Sequence, residues 1–211
     1  MGTQSTDNHF DIVKRITCRV ETPNASGTGI FLSTPDSDDK YFVTAKHCLL
    51  GKKFDGDLQN KDITLFVPLT DKEIFSTITL DHNSRIYLST DLDIAIIVVS
   101  NHSDVEIPNI PLLDVRWFQQ ECFFRGYPHA DESQAGVNIF VNFVDNNIVT
   151  TLNPLETYDT VSHDNCDGFS GSGVFSVIDN DPYFVGLLYE LKEPFRRFNI
   201  YNLSQINSLL T

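Results

Sequence analysis

Short apolar segments recur along the chain between polar turns, and they are rich in β-branched and aromatic residues. Ile16-Thr17-Cys18-Arg19-Val20, Thr64-Leu65-Phe66-Val67 and Val137-Asn138-Ile139-Phe140-Val141 are examples. Segments of this length and make-up predict an all-β protein. Two runs, Tyr41-Phe42-Val43-Thr44-Ala45 and Ile94-Ala95-Ile96-Ile97-Val98-Val99, stay apolar at consecutive positions. Both of their faces must then be buried, as in the core of a small barrel. Between residues 100 and 117 the pattern gives way to Asn, Asp and the prolines Pro108 and Pro111, with neither strand nor helix period, which predicts a crossing between two halves. Strands are expected again near 121–125, 137–144, 173–178 and 183–189. At the end, Leu203, Ile206 and Leu210 fall at helical spacing behind Asn202, a favourable N-cap, so a C-terminal helix is expected. Residues 1–9 are polar and expected to be disordered.

With 211 residues, 41% of them hydrophobic, the chain can bury a proper core as one domain or as two small barrels sharing an interface. Fifteen Lys and Arg face 29 Asp and Glu, a formal charge of −14. That balance disfavours nucleic acid and anionic membranes and favours a cationic polypeptide as partner. No apolar run approaches the roughly 20 residues of a membrane span, and no basic segment leads into an apolar one, so a soluble, cytoplasmic chain is expected. Gly2 and Thr6 fit the loose myristoylation pattern without a supporting polybasic patch, and an ordinary start is preferred. The cysteines Cys18, Cys48, Cys122 and Cys166 form no C-x-x-C pair and have no His at ligand spacing. That spacing argues against a structural zinc site, and no metal or cofactor is expected.

Three motifs carry chemistry: Thr44-Ala45-Lys46-His47-Cys48, Asp91-Leu92-Asp93-Ile94-Ala95, and Asn165-Cys166-Asp167-Gly168-Phe169-Ser170-Gly171-Ser172-Gly173. A Ser hydroxyl is a poor nucleophile near neutral pH; it needs a base within reach and a third group that holds the base in the right tautomer. His47, Asp93 and Ser170 can fill those roles. Taken singly, Gly-x-Ser-Gly is an ordinary turn, a His after a strand an edge residue, and an Asp before a strand a cap. Their conjunction inside an all-β pattern, in the order His, Asp, Ser, is what distinguishes this chain; subtilisin-like enzymes run Asp, His, Ser and α/β-hydrolases Ser, Asp, His.

On these motifs the chain resembles a trypsin-like serine peptidase. The resemblance implies two six-stranded antiparallel β-barrels and a C-terminal helix. Residues 10–105 would form the first barrel with His47 and Asp93, 106–118 the linker, and 119–211 the second barrel with Ser170 and the helix. It also implies that His47 takes the Ser170 proton, that Asp93 orients His47, and that the N–H groups of Gly168 and Ser170 form the oxyanion hole. Asp93 is favoured over Asp91 because the family's Asp stands directly before Ile-Ala, and Ser170 over Ser172 because only Ser170 has Gly168 two residues before it. Cys48, Cys122 and Cys166 each match one half of a disulfide familiar in the family, but Ser26-Gly27 and Ser176 stand near the partner places of the first two and no Cys follows Cys166, which implies that Cys18, Cys48, Cys122 and Cys166 are buried free thiols in a reducing compartment.

Where digestive enzymes carry an Asp for zymogen activation the chain has Phe169, and it lacks an Ile-Val-Gly-Gly start, so it looks more like bacterial and viral members. Asp164 stands where enzymes specific for Arg and Lys keep the acid at the floor of their pocket, which implies cleavage after basic residues. Tyr189, Glu190 and Leu191 would lie on the substrate-pairing strand, Leu191 narrowing the entrance and Glu190 adding negative potential; His163 is a rival partner for an acidic substrate. If His47 is the base, activity falls as it protonates below roughly pH 6.5. Two other readings stand beside the peptidase: a protease effector domain gated by a fused or associated regulatory domain of a larger bacterial signalling or defence protein, and a catalytically silent scaffold.

Overall fold

The computed structural model describes residues 9–34, 39–56, 58–69, 75–80, 82–99, 106–113, 121–128, 136–143, 153–157, 167–192 and 197–209. Its first element is a helix, α1 (His9–Ile16), in which Val13 and Ile16 are buried, Asp11 lies in the first turn, and Lys14 and Arg15 lie in the last. Those charges complement the helix dipole. The helix begins at His9, inside the stretch expected to be disordered, because Phe10 finds Phe123 and Phe140 of the second barrel at ring distances of 5.1 and 6.0 Å.

The first antiparallel sheet contains β1 (Thr17–Glu21), β2 (Ser26–Ser33), β3 (Lys40–Thr44), β4 (Thr64–Pro68), β5 (Phe75–Thr79), β6 (Arg85–Leu88) and β7 (Ala95–Val99). They are ordered β5-β4-β1-β2-β3-β7-β6, and a short helix α2 (His47–Leu50) follows β3. The second unit is a closed barrel, β10-β13-β12-β11-β8-β9, formed by β8 (Glu121–Gly126), β9 (Val137–Phe143), β10 (Asn153–Thr157), β11 (Gly173–Ile178), β12 (Asp181–Lys192) and β13 (Arg197–Asn202). The fold is thus mostly β with a small C-terminal helix, as expected, but the strand count differs. Among the described residues the second barrel has six strands and the first sheet has seven. The extra strand arises near Leu80 and Ser84, both buried, where the chain stops pairing with β4 and crosses over to pair with β7.

Every residue of β7 is buried, in agreement with its unbroken apolar pattern. The proline-bearing stretch after it packs Ile107 and Ile110 inward, and Pro111 O accepts the Phe184 N–H of β12 at 3.0 Å. At the C-terminus, Asn202 caps α3 (Leu203–Asn207): its side chain accepts the Gln205 N–H at 3.0 Å while its own N–H donates to Gln205 Oε1 at 2.9 Å. None of the described helices is long and apolar enough to cross a membrane.

Strand alternation divides the aromatic residues of β8 between two cores. Phe123 joins the cluster of the first sheet and the interface, with Phe175 and Phe184. Phe124 points into the second barrel, edge-on to Phe169 at 5.3 Å and Phe198 at 5.0 Å. Removing so buried a ring leaves a cavity as well as losing transfer energy. Phe124→Ala is expected to cost about 3–5 kcal/mol, read from urea unfolding; an unchanged midpoint would refute this account of the second core.

Candidate active site

β3 and β7 are direct neighbours, with Thr44 opposite Ala95. The residues just after β3 and just before β7 therefore emerge side by side, which brings His47 to Asp93. The His47 N–H donates to Asp93 Oδ1 at 2.9 Å, and ring Nδ1 meets Oδ2 at 2.5 Å. With Nδ1 engaged, Nε2 is the nitrogen left to exchange a proton. The Asp93 backbone is also held, its O accepting from the Lys46 N–H at 3.2 Å and its N–H donating to the Tyr201 hydroxyl at 3.0 Å. Tyr189 stacks on Tyr201 with ring centroids 4.0 Å apart and an interplanar angle of 17°. Burial raises both phenols above their ordinary value, so they stay neutral beside the carboxylate.

Two forces act on the His47 imidazole. Burial, the largest single influence, disfavours its charged form, but the hydrogen bonds and charge interactions with Asp93 and Cys48 together outweigh it, and the ring is pushed up to about 10. Asp91, the alternative acid, is exposed and two residues removed from this pair.

The segment 167–172 is held from two sides. Gly168 (φ 101°) and Gly171 (φ 85°) adopt left-handed backbone that favours glycine, and a Cβ on Gly171 would stand 1.9 Å from Thr28 O. From β2, the Thr28 N–H donates to Ser170 O at 2.9 Å and the Thr28 hydroxyl to Gly168 O at 2.6 Å. The Cys48 thiol also donates to Ser170 O, at 3.2 Å. From β12, Leu188 O accepts the Gly171 N–H at 2.7 Å and the Leu188 N–H donates to Ser172 O at 2.8 Å. Phe169 anchors the middle of the segment in the second core.

The carbonyls of Gly168 and Ser170 are thus satisfied inward, while their N–H groups have no acceptor among the described residues. Both residues line a cleft of about 520 Å³ together with His47, the turn at residues 21–26, Gly51, Lys52 and Asp167. Ser170 and His47 share this cleft, although among the described residues no hydrogen bond joins Ser170 Oγ to the imidazole. Such contacts are often long before substrate binds. Ser172, the alternative nucleophile, is fully buried and lies off the cleft. The Lys52 ammonium and Asp167 carboxylate face each other across the cleft at 3.8 Å.

Glu190 is exposed and its carboxylate accepts the Asn199 side-chain amide at 2.7 Å. Tyr189 falls at the register shift between Leu188 and Glu190, and Leu191 pairs with Phe198 through the backbone. Asp164, His163 and Cys166 lie outside the described residues. Cys18, Cys48 and Cys122 are free and buried. Cys48 Sγ would be 2.4 Å from a Cβ on Gly27, and Cys122 lies opposite Ser176 on the paired strand. Burial pushes the Cys122 thiol up to about 12 and raises Cys18 well above its usual range, which makes both poor nucleophiles. No group of His, Cys, Asp and Glu among the described residues could hold a metal ion.

Thr28 and Tyr201 escaped the sequence reading. Gly27-Thr28-Gly29 lacks the apolar alternation that marks a strand, and Tyr201 is one aromatic among many.

The family profile of the trypsin-like peptidase domain matches residues 27–187. No curated protein sequence matches the chain at a significant level. Among solved structures, the active form of the Mycobacterium tuberculosis protease Rv3671c is similar with a TM-score of 0.65 at 12% identity, over 94% of this chain and 80% of that one. Its inactive form gives 0.61 at 13% identity, over 94% and 88%. At this identity the likeness is one of fold.

The imidazole offers a test that needs no substrate. In an NMR titration the His47 ring should keep its proton through neutral pH and lose it only toward pH 10, and Asp93→Asn should return it toward the ordinary value. Titration of wild-type His47 near 6.5 would show that Asp93 does not govern it.

Proposed function

The chain belongs to the trypsin-like peptidase family, and from that premise we propose that it is a serine endopeptidase that cleaves peptide bonds through an acyl-enzyme on Ser170. His47 accepts the Ser170 proton through Nε2 as the hydroxyl attacks the carbonyl, then delivers it to the leaving amine. Asp93 holds the ring and stabilises its cationic form. The unshared N–H groups of Gly168 and Ser170 receive the oxyanion, a contribution worth about 3–4 kcal/mol per donor in comparable sites. The observation that carries this reading is the double grip of Asp93 on His47 at the edge of the cleft that Ser170 also lines. Because a base must be free of its proton, the raised imidazole places the rising limb of the rate profile on the alkaline side of 6.5 rather than below it.

Asp164, which the family resemblance would put at the floor of the specificity pocket, together with the exposed Glu190 and a net charge of −14, favours substrates with Arg or Lys on the acyl side. Tyr189 and Leu191, both on β12, would border that side of the site. The three buried free thiols suit a reducing compartment such as a bacterial cytoplasm. A second reading, a protease whose site is aligned only by a regulatory partner, draws support from the missing hydrogen bond between Ser170 and His47.

Digestion of a diverse peptide mixture, read by mass spectrometry with Ser170→Ala in parallel, tests the proposal. Cleavage after Arg or Lys that disappears in the variant is expected. Cleavage after other residues would keep the nucleophile and discard Asp164, whereas equal cleavage by the variant would remove Ser170 from the mechanism. No cleavage by either protein would leave the partner-gated reading and the scaffold.

A further inference from the structure

Thr28 is fully buried, and each of its polar groups has a defined partner. Its backbone N–H donates to Ser170 O at 2.9 Å, and its carbonyl accepts the Thr44 hydroxyl at 2.6 Å. The side-chain oxygen accepts the Tyr127 N–H at 3.0 Å and donates to Gly168 O at 2.6 Å. A hydroxyl has one proton. Because Tyr127 occupies a lone pair with a donor of its own, that proton has a single direction to point, toward Gly168 O. Tyr127 is itself anchored, its phenol donating to Thr17 O of β1 at 3.1 Å. One hydroxyl from the first sheet therefore ties the end of β8 to the segment that carries the nucleophile.

Gly168 is the soft joint of that segment. At φ 101° it occupies backbone that glycine enters and leaves readily. Its C=O and N–H lie in two peptide planes joined at its Cα, so pinning the carbonyl fixes one plane and leaves the N–H to be redirected only by turning about the φ and ψ bonds of Gly168 itself. We propose that Thr28 is a positioning residue for hydrolysis, acting through Gly168 to keep that N–H turned to the cleft where the oxyanion forms. The role rests on the reading of Gly168 and Ser170 given above. Threonine's hydroxyl, and not its methyl group, is the operative part.

The test compares Thr28→Val, which keeps the shape and removes the hydroxyl, with Thr28→Ser, which keeps the hydroxyl. Each is assayed for kcat and KM on a peptide the wild type cleaves and for inhibition by a peptide boronate, whose tetrahedral adduct needs the oxyanion donors. Circular dichroism checks the fold. Thr28→Val should lose about 10- to 100-fold in kcat with KM within threefold, and boronate affinity should fall in step, because the interaction is made only in the transition state. Thr28→Ser should stay within threefold of wild type. A folded valine variant with near-normal kcat would overturn the proposal, as would a folded serine variant that loses more than tenfold. The serine variant decides the matter if the valine variant does not fold. Ser170→Ala separates the two levels of inference: if it cleaves as fast as wild type, the nucleophile assignment falls and Thr28's role falls with it.

Discussion

The segment 167–172 has to do two opposed things with its backbone. Its carbonyls must be satisfied inside the protein, since a buried polar group without a partner is costly, while for the function proposed above the N–H groups of Gly168 and Ser170 must stay unpaired and face the cleft. Left-handed glycines at 168 and 171 permit this turn, but glycine permits many others as well. The choice among them is made by the neighbours. Thr28 takes up two carbonyls from β2, Leu188 exchanges hydrogen bonds from β12, and the Phe169 ring is sunk among Phe124 and Phe198. The first sheet and the second barrel meet at this turn, and much of the interface can be understood as the means of holding it.

Phe169 changes how that holding depends on conditions. The chain resembles enzymes in which an acid at this place pairs with a newly freed amine. Here an apolar ring worth about 1.5–3 kcal/mol of burial does the anchoring, by a contact that carries no titrating group. The cysteines show the same economy. At Cys48, where the resemblance implies one half of a disulfide, Gly27 leaves just enough space for the thiol, which turns to Ser170 O. Packing and hydrogen bonds thus occupy places where a covalent or ionic link is otherwise familiar.

The His47–Asp93 pair is held with equal care. The carboxylate is bound by two groups of His47, and its backbone by Lys46 and Tyr201. Tyr201 receives the Asp93 N–H while Tyr189 lies flat against its ring, so a side chain expected to meet substrate also buttresses the acid. The low-dielectric surroundings cut both ways: they disfavour the charged imidazole and strengthen its interactions with Asp93 and Cys48, which together prevail.

What the sequence determined by itself is what local order can encode. Runs of β-branched and aromatic residues between polar turns marked β1 and β4, unbroken apolar runs marked β3 and β7 as strands buried on both faces, and Asn202 marked α3 because a cap is made with residues a turn away. His47, Asp93 and Ser170 stood out because residue type and order can be read without coordinates. What only the tertiary structure decided depends on which strands become neighbours. The helix α1 is stabilised by rings far along the chain, and the seventh strand of the first sheet by a change of partner at Leu80 to Ser84. Thr28, in a glycine-flanked stretch with no strand signature, reaches Gly168 across a separation of 140 residues. Hydrogen bonds over such a span are set by sheet register and by the docking of two cores, and no local pattern carries that information.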